Sequence, residues 1–181
     1  MDLYLTEPVG PFHQGVGAAF GSFTTKKDIS PQPLPVIPGG KLRQGSKIHI
    51  RASGEYSTTG TPTLRTGFYL GTRAGTITID LAVTALAATP SAAAGWPWWM
   101  EWDGICATTG PTGSLVGMGQ SQLGLTIATF SAEAPLPITQ ALRTVAIDTT
   151  IERAIGVSGE WGTSSASNTI TVNNLRVLIL N

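Results

Sequence analysis

From Gly45 onward, apolar and polar residues alternate in a way that predicts an all-β domain. In residues 47–57, Ile48, Ile50 and Ala52 fall on one face of an extended strand, and the residues between them fall on the other. Short runs of this kind recur, separated by turn residues, which is typical of a sandwich or barrel. The predicted strands are residues 47–57, 63–71, 76–83, 96–108, 114–126, 143–148, 151–161 and 169–180.

About eight strands in a domain of this size predict a jelly-roll-like β-sandwich, with two sheets joined by Greek-key links. The apolar positions of the last strand change phase near Asn173-Asn174, which predicts a bulge there. Asp148-Thr149-Thr150 separates two β-rich runs and predicts a tight hairpin. The order Ser-Gly-Glu-aromatic occurs at residues 53–56 and again at 158–161, so we expect two hairpin-like units at equivalent places in the sandwich.

Residues 1–45 differ from this pattern because they are rich in proline and glycine. Proline fixes its own φ and favours extended backbone in the residue before it, so we predict an extended arm at 1–45 followed by the sandwich domain at 46–181. The arm packs on its own domain or on a neighbour, and a floppy linker is the alternative. Its apolar residues are candidates for a subunit or partner interface: Phe12, Phe20, Phe23, Val36 and Ile37.

The segment Trp96–Thr108 begins with an unusual cluster, since four of the five tryptophans lie within seven residues. On a strand, Trp96, Trp98, Met100 and Trp102 share one face, and Trp99, Glu101 and Asp103 share the other. This pattern predicts a core strand whose second face meets a partner, with Trp99 as a candidate interface residue. The alternative is a sugar-binding platform built on Trp99.

The composition favours assembly and argues against nucleic-acid binding. Only 12% of the residues are charged, against about 25% in an ordinary domain, so much of the surface is hidden by assembly or covered by Ser, Thr and Gly. Eleven basic residues balance eleven acidic ones without a basic cluster, so phosphate neutralisation is not expected. The single cysteine, Cys106, is expected to be a small buried hydrophobic residue.

The sequence offers little catalytic chemistry, and we expect no enzymatic activity, no cofactor and no metal. His13 and His49 are the only histidines, and neither lies in a nucleophile or zinc motif. A carboxylate pair drawn from Glu55, Glu101, Asp103, Glu152 and Glu160 stays open as a possibility. The N-terminus does not resemble a signal peptide and no apolar run is long enough to span a membrane, so we expect folding in a reducing cytoplasm.

Three stretches, residues 143–181, 51–71 and 96–104, resemble virion proteins of tailed bacteriophages. The resemblance implies a small jelly-roll protein that decorates the capsid as a homotrimer, with its arm reaching over the capsid surface. Its partners would be itself and the phage major capsid protein, and its location the capsid surface of a virion assembled in the host cytoplasm. Removing residues 1–45 would then abolish attachment and leave the sandwich folded. A tail or fibre component that binds carbohydrate during host adsorption is the alternative.

Overall fold

A computed structural model describes residues 6–8, 13–14, 17–131 and 133–180 of the chain, with side chains from residue 17 onward. These residues form strands and a single short 3-10 helix, Gln140–Arg143. The strands are β1 (Thr6–Pro8), β2 (His13–Gln14), β3 (Phe20–Gly21), β4 (Lys27–Asp28), β5 (Val36–Ile37), β6 (Lys47–Ser57), β7 (Thr63–Gly71), β8 (Ile77–Val83), β9 (Ala87–Ala88), β10 (Trp96–Thr108), β11 (Gly113–Leu123), β12 (Ala134–Leu136), β13 (Thr144–Ile147), β14 (Arg153–Trp161) and β15 (Thr169–Leu180).

The strands form two antiparallel sheets. The large sheet has the order β1-β15-β6-β10-β11-β12, with β2 and β3 also paired to β15 and β13 paired to β11. The small sheet has the order β4-β14-β7-β8, with β5 paired to β14 and β9 paired to β7. The prediction of an all-β sandwich is confirmed, and the eight predicted strands correspond to β6, β7, β8, β10, β11, β13, β14 and β15.

The core lies between the sheets and is built from the inward positions that alternation predicts. Trp98, Met100 and Trp102 of β10 are buried there and pack with residues of the small sheet such as Phe68 and Val157. Gly104 and Gly117 pair directly across β10 and β11, and a Cβ atom at either position would collide with the Trp102 ring. Their missing side chains therefore provide the space that the largest core residue fills.

The arm runs along the edges of both sheets. Its first three strands pair with β15, from Thr6 opposite Leu180 to Gly21 opposite Thr169, and β4 and β5 pair with β14. Because unpaired edge strands expose backbone N–H and C=O groups, this pairing protects two edges that would otherwise be open. The arm thus packs on its own sandwich, one of the two placements that the sequence left open.

The arm also contributes to the core. Phe23, Ile29, Ile37 and Leu42 are buried members of the same hydrophobic cluster as the strands of the sandwich. Burying side chains of this size contributes about 1.5–3 kcal/mol each. The expectation that the sandwich stays folded without residues 1–45 therefore conflicts with where these side chains lie.

The sequence predicted a bulge in the last strand and a hairpin at Asp148-Thr149-Thr150, and the structure has only the bulge. The predicted bulge is confirmed, because the register of β15 on β6 shifts between Val172 and Asn174. The predicted hairpin at Asp148-Thr149-Thr150 is wrong: β13 belongs to the large sheet and β14 to the small one. These residues therefore carry the chain across the sandwich, which local turn residues do not reveal.

The repeated Ser-Gly-Glu-aromatic order marks two related corners. Tyr56 of β6 pairs with Ile170, and Trp161 of β14 pairs with Leu64, so each aromatic residue lies opposite the second residue of its partner strand. After each one the chain crosses to the other sheet. The two segments do occupy equivalent places, but as sheet-crossing corners rather than hairpins.

Candidate binding face

The outer face of the small sheet is covered by the arm. Tyr69 points to that face, opposite the core residues Phe68 and Leu70, and its exposed fraction is 0%. Lys26 of the arm places Nζ 2.5 Å from Asp80 Oδ2 on β8. Burial, and then the negative charge of Asp28, raise the pKa of Tyr69, whose hydroxyl lies near Asp28 but makes no hydrogen bond of good geometry. The part of this face around Tyr69 is therefore covered.

The outer face of the large sheet is open, and we call it the bare face. Cross-strand register arranges its outward side chains in four rows across β15, β6, β10 and β11. None of these sixteen side chains is buried. The rows are Asn174, Ser53, Trp99 and Gln122; Arg176, Arg51, Glu101 and Gln120; Leu178, His49, Asp103 and Met118; and Leu180, Lys47, Ile105 and Val116.

The first two rows form the polar half of the bare face. Trp99 donates a hydrogen bond from Nε1 to Gln122 Oε1 at 3.0 Å. Gln120 donates from Nε2 to Glu101 Oε1 at 2.9 Å. The guanidinium carbon of Arg51 lies 5.8 Å from the centroid of the Trp99 ring, which is a cation–π distance. These contacts hold an aromatic ring among planar polar groups on a half-exposed surface.

The last two rows form the apolar half. Ile105, Val116 and Met118 are 40%, 37% and 54% exposed, and Ile105 lies directly opposite Val116. They border a shallow depression of about 410 Å³ that is rimmed by Lys47, Asp103 and Arg143 and lined also by Gly104 and Gly117. His49 Nδ1 lies 2.8 Å from Asp103 Oδ1 at the boundary with the polar half. Apolar side chains thus meet charges of both signs in a small area.

The structure places the interface residues that were predicted from sequence in different environments. Trp99 lies on the bare face, opposite the buried residues of β10, as its alternation indicated. Phe23 and Ile37 are buried in the chain's own core, so they do not project toward a partner. Phe20 is partly buried against that core and Val36 is half-buried in β5. Phe12 lies outside the described residues.

Several residues of the bare face were missed from sequence. Met118, Gln120 and Gln122 alternate with buried positions of β11, a signal that the sequence does carry. The pairing of Arg51 with Arg176 carries no such signal, because it depends on the register of β15 beyond its bulge. Local patterns therefore identify which face a residue occupies but not its neighbours across strands.

The five carboxylates considered for a catalytic pair fall into two groups, and Glu55, Glu101 and Asp103 lie on the outer side of the large sheet. Glu152 pairs with Arg73 and Glu160 pairs with Arg65, both away from the bare face. Glu101 and Asp103 do share the bare face, where they contact Gln120 and His49 respectively. Among the described side chains, no group of three or more His, Cys, Asp or Glu residues could hold a metal ion.

Two further expectations concern Cys106 and the membrane. Cys106 is a buried free cysteine of the core, as predicted, and burial raises the pKa of its thiol. A buried thiol with a raised pKa is a poor nucleophile. The 3-10 helix is far too short to cross a membrane, and no other helix occurs in the described ranges.

Comparisons with known proteins do not assign the chain to a family. No protein-family model matches it, and no curated protein matches it. Among solved structures, it is similar to a mutant alginate lyase in complex with an alginate tetrasaccharide, with 9% identity and a TM-score of 0.23. That match covers 97% of this chain and 96% of the other. A likeness this weak carries no argument about function.

Proposed function

We propose that this chain is a structural protein of a bacteriophage virion, a capsid decoration protein that binds the outer capsid surface as a homo-oligomer, a homotrimer by its resemblance. The observation that supports a binding role best is the apolar half of the bare face. Three large apolar side chains, Ile105, Val116 and Met118, are exposed next to one another there.

An exposed apolar cluster of this kind favours contact with another protein. Contiguous apolar surface rimmed by polar groups marks interaction sites on folded proteins. The rim residues Lys47, Arg143 and Asp103 supply both signs of charge, which sets the orientation of a partner more than the affinity. Because the floor of the depression is backbone at Gly104 and Gly117, a partner side chain can approach the sheet closely.

The arm supports the same role by closing two sheet edges to association. It pairs with β14 and β15 along one side of the sandwich, so those edges cannot add strands from another molecule. A small exterior protein gains from this because uncontrolled strand addition would make fibres instead of a defined oligomer.

Two measurements test this proposal. The first locates the protein on the virus particle, and the second asks whether the apolar half of the bare face makes the contact. Antibodies against the purified chain, labelled with gold, are expected to mark capsids in electron micrographs of the virions. Met118→Asp puts a charge into the apolar half and is expected to weaken self-association or capsid binding by roughly 30-fold or more, as for a central interface residue. Sedimentation velocity and capsid co-sedimentation measure these two effects.

Ile127→Asp is the matched control, because Ile127 is 78% exposed but lies on the loop after β11, which follows the Gln122 end of the bare face and not its apolar half. It is expected to leave both measurements unchanged. Labelling confined to tails would overturn the capsid assignment. A Met118→Asp protein that assembles and binds capsids like the wild type would overturn the use of this face.

A further inference from the structure

We propose that Trp99 and a small cavity beside it form a binding site for uncharged oligosaccharides that carry acetamido groups. A pyranose ring stacks on Trp99, and its acetamido group enters the cavity. The site lies at the Gln122 end of β11, roughly 14 Å along the strand from Met118 in the apolar half. The inference therefore goes beyond capsid attachment, which the apolar half supports.

Trp99 presents its ring to the surface instead of filling the core. Three other tryptophans, Trp98, Trp102 and Trp161, are buried, whereas Trp99 is half-exposed on the outer side of β10. The hydrogen bond from its Nε1 to Gln122 fixes the orientation of the indole. A flat ring that is already held in place loses little rotamer freedom when a sugar stacks on it.

The surroundings of the indole favour an uncharged ligand. The row of the bare face that contains Trp99 carries no charged residue, because its other members are Asn174, Ser53 and Gln122. In the neighbouring row Arg51 lies directly opposite Glu101, so its charge is matched across the two strands. An acid or a base on the ligand therefore finds no unmatched opposite charge beside the ring.

Hydroxyl groups of a sugar do find partners on both sides of the indole. Gln122 uses Oε1 to accept from Trp99, and its Nε2 makes no hydrogen bond with any described residue. The hydroxyl of Ser53 is likewise without a hydrogen bond among the described residues. Because β6 and β11 each lie about 4.8 Å from β10, these two groups flank a sugar ring that is stacked on Trp99.

The cavity beside the indole has a volume of about 80 Å³. Trp99, Gln122 and Leu125 line it on the surface side, and the buried residues Trp98 and Thr84 line its inner end. Its walls are mostly apolar, since alanine, leucine and tryptophan residues supply much of the lining. One water molecule occupies about 30 Å³ of the liquid, so the cavity has room for a substituent of a few heavy atoms.

Two hydroxyl groups in this cavity make it suitable for an acetamido group. Thr84 Oγ1 accepts a hydrogen bond from the backbone N–H of Thr66 at 3.0 Å, which leaves its own proton to donate. The hydroxyl of Ser121 makes no hydrogen bond with any described residue. An acetamido carbonyl accepts from such hydroxyls while its methyl group contacts the apolar walls. A sugar hydroxyl in the same place leaves apolar space unfilled, so the acetamido group is preferred.

The test uses the full chain on a glycan array that holds matched oligosaccharides. The array includes β-1,4-linked trimers of N-acetylglucosamine and of glucose, further pairs that differ in the same way, and uronate-bearing oligosaccharides. Binding is expected for the N-acetylated uncharged members. Calorimetry then compares the strongest of them with its counterpart that has hydroxyl in place of acetamido, and we expect the N-acetylated member to bind roughly tenfold more tightly.

Substitutions at the indole and at the cavity test the two parts of the site. Trp99→Ala is expected to weaken sugar binding by roughly tenfold and Trp99→Phe to keep most of it, because phenylalanine retains a stacking ring. Ala87→Leu fills the cavity from β9 and is expected to remove the preference for the N-acetylated member of each pair. Ala85→Leu is the matched control, because Ala85 is exposed and does not line the cavity.

Met118→Asp changes only the apolar half and is expected to bind sugar like the wild type. Circular dichroism confirms that each variant remains folded. Silence across the array, unchanged binding by Trp99→Ala, equal affinity for the two members of a pair, or tighter binding of uronates would each overturn the proposal. Any of these results would leave capsid attachment untouched, since that role is measured on particles with the Met118 variant.

Discussion

Tyr69 of the small sheet and Trp99 of the large sheet are both large aromatic side chains on an outer face, but the two residues have opposite environments. Tyr69 of the small sheet is fully buried beneath the arm, whereas Trp99 of the large sheet is half-exposed. Both lie opposite core residues of their own strands, so alternation alone would give them the same role. The difference shows that alternation along a strand does not decide how exposed an outward side chain is, because the arm lies over one of these two residues and not over the other.

The strands of the small sheet are adapted to being covered. Gly71 and Gly156 lie beside Tyr69, and a Cβ atom at these positions would lie 2.8 Å and 2.5 Å from the tyrosine ring. The ring can therefore lie close to the sheet, which leaves room for the arm above it. On the bare face, by contrast, the outward positions of β10 and β11 are occupied by long side chains such as Glu101 and Gln120.

Removing the arm should destabilise the protein more than any single substitution, because the arm covers Tyr69 and contributes to the core. A chain that starts at residue 46 loses the core residues Phe23, Ile29, Ile37 and Leu42 and exposes the edges of β14 and β15. We expect it to be insoluble or to show no cooperative unfolding transition, because the lost burial of these four side chains, about 6–12 kcal/mol, is as large as the net stability of a typical domain, about 5–15 kcal/mol. Thermal unfolding followed by circular dichroism measures the outcome. A fragment 46–181 that unfolds cooperatively at the wild-type temperature would show that the arm is an accessory to a complete sandwich.

Replacing Tyr69 and Trp99 in turn should show that the covered aromatic residue contributes more to the free energy of unfolding than the half-exposed one. Tyr69→Ala removes a fully buried ring and is expected to cost about 3–5 kcal/mol of the free energy of unfolding. Trp99→Ala removes a half-exposed ring and is expected to cost about 1 kcal/mol or less. Urea denaturation of both variants measures the difference. Equal losses would mean that Trp99 serves the fold as much as Tyr69 does.

Alkaline pH should destabilise the protein through its buried tyrosines. Burial raises the pKa of Tyr56 to about 12 and also raises that of Tyr69, so both hydroxyls stay protonated in the folded state at a pH where the unfolded chain ionises. Stability is then full below pH ~10, the pKa of an unfolded tyrosine, and falls as the pH rises toward the folded values.

The loss should approach about 1.4 kcal/mol per pH unit for each such tyrosine. Urea midpoints between pH ~8 and ~11 measure it, and Tyr69→Phe should reduce the slope by one tyrosine's share. A stability that stays flat up to pH ~11 would contradict the burial of these hydroxyls.

Much of the sandwich could be predicted from the sequence because its long strands alternate clearly. Ile48, Ile50 and Ala52 identify the inner face of β6, and the Trp96–Thr108 strand separates Trp99 from the buried tryptophans. The arm was harder, since its strands are two or three residues long and too short to show a period. Its apolar residues predicted contacts, but not that Phe23 and Ile37 belong to the chain's own core.

The candidate site could be predicted only in part for a related reason. Trp99 was found from its strand, but its neighbours Arg51, Arg176 and Gln122 come from three other strands. Which of them meet is set by register, and the register of β15 depends on a bulge between Val172 and Asn174. The same limit explains why the crossing at Asp148-Thr149-Thr150 was mistaken for a hairpin.

The pairing of Thr6 with Leu180 brings the two described ends of the polypeptide to one corner of the molecule. A fluorescent protein or peptide epitope attached directly to Thr6 or to Leu180 would therefore leave the sandwich at the same corner. Joining Thr6 and Leu180 with a short linker and opening a loop elsewhere is also feasible geometrically. Such a rearranged gene would let cargo be displayed from a chosen loop while the paired ends stay closed.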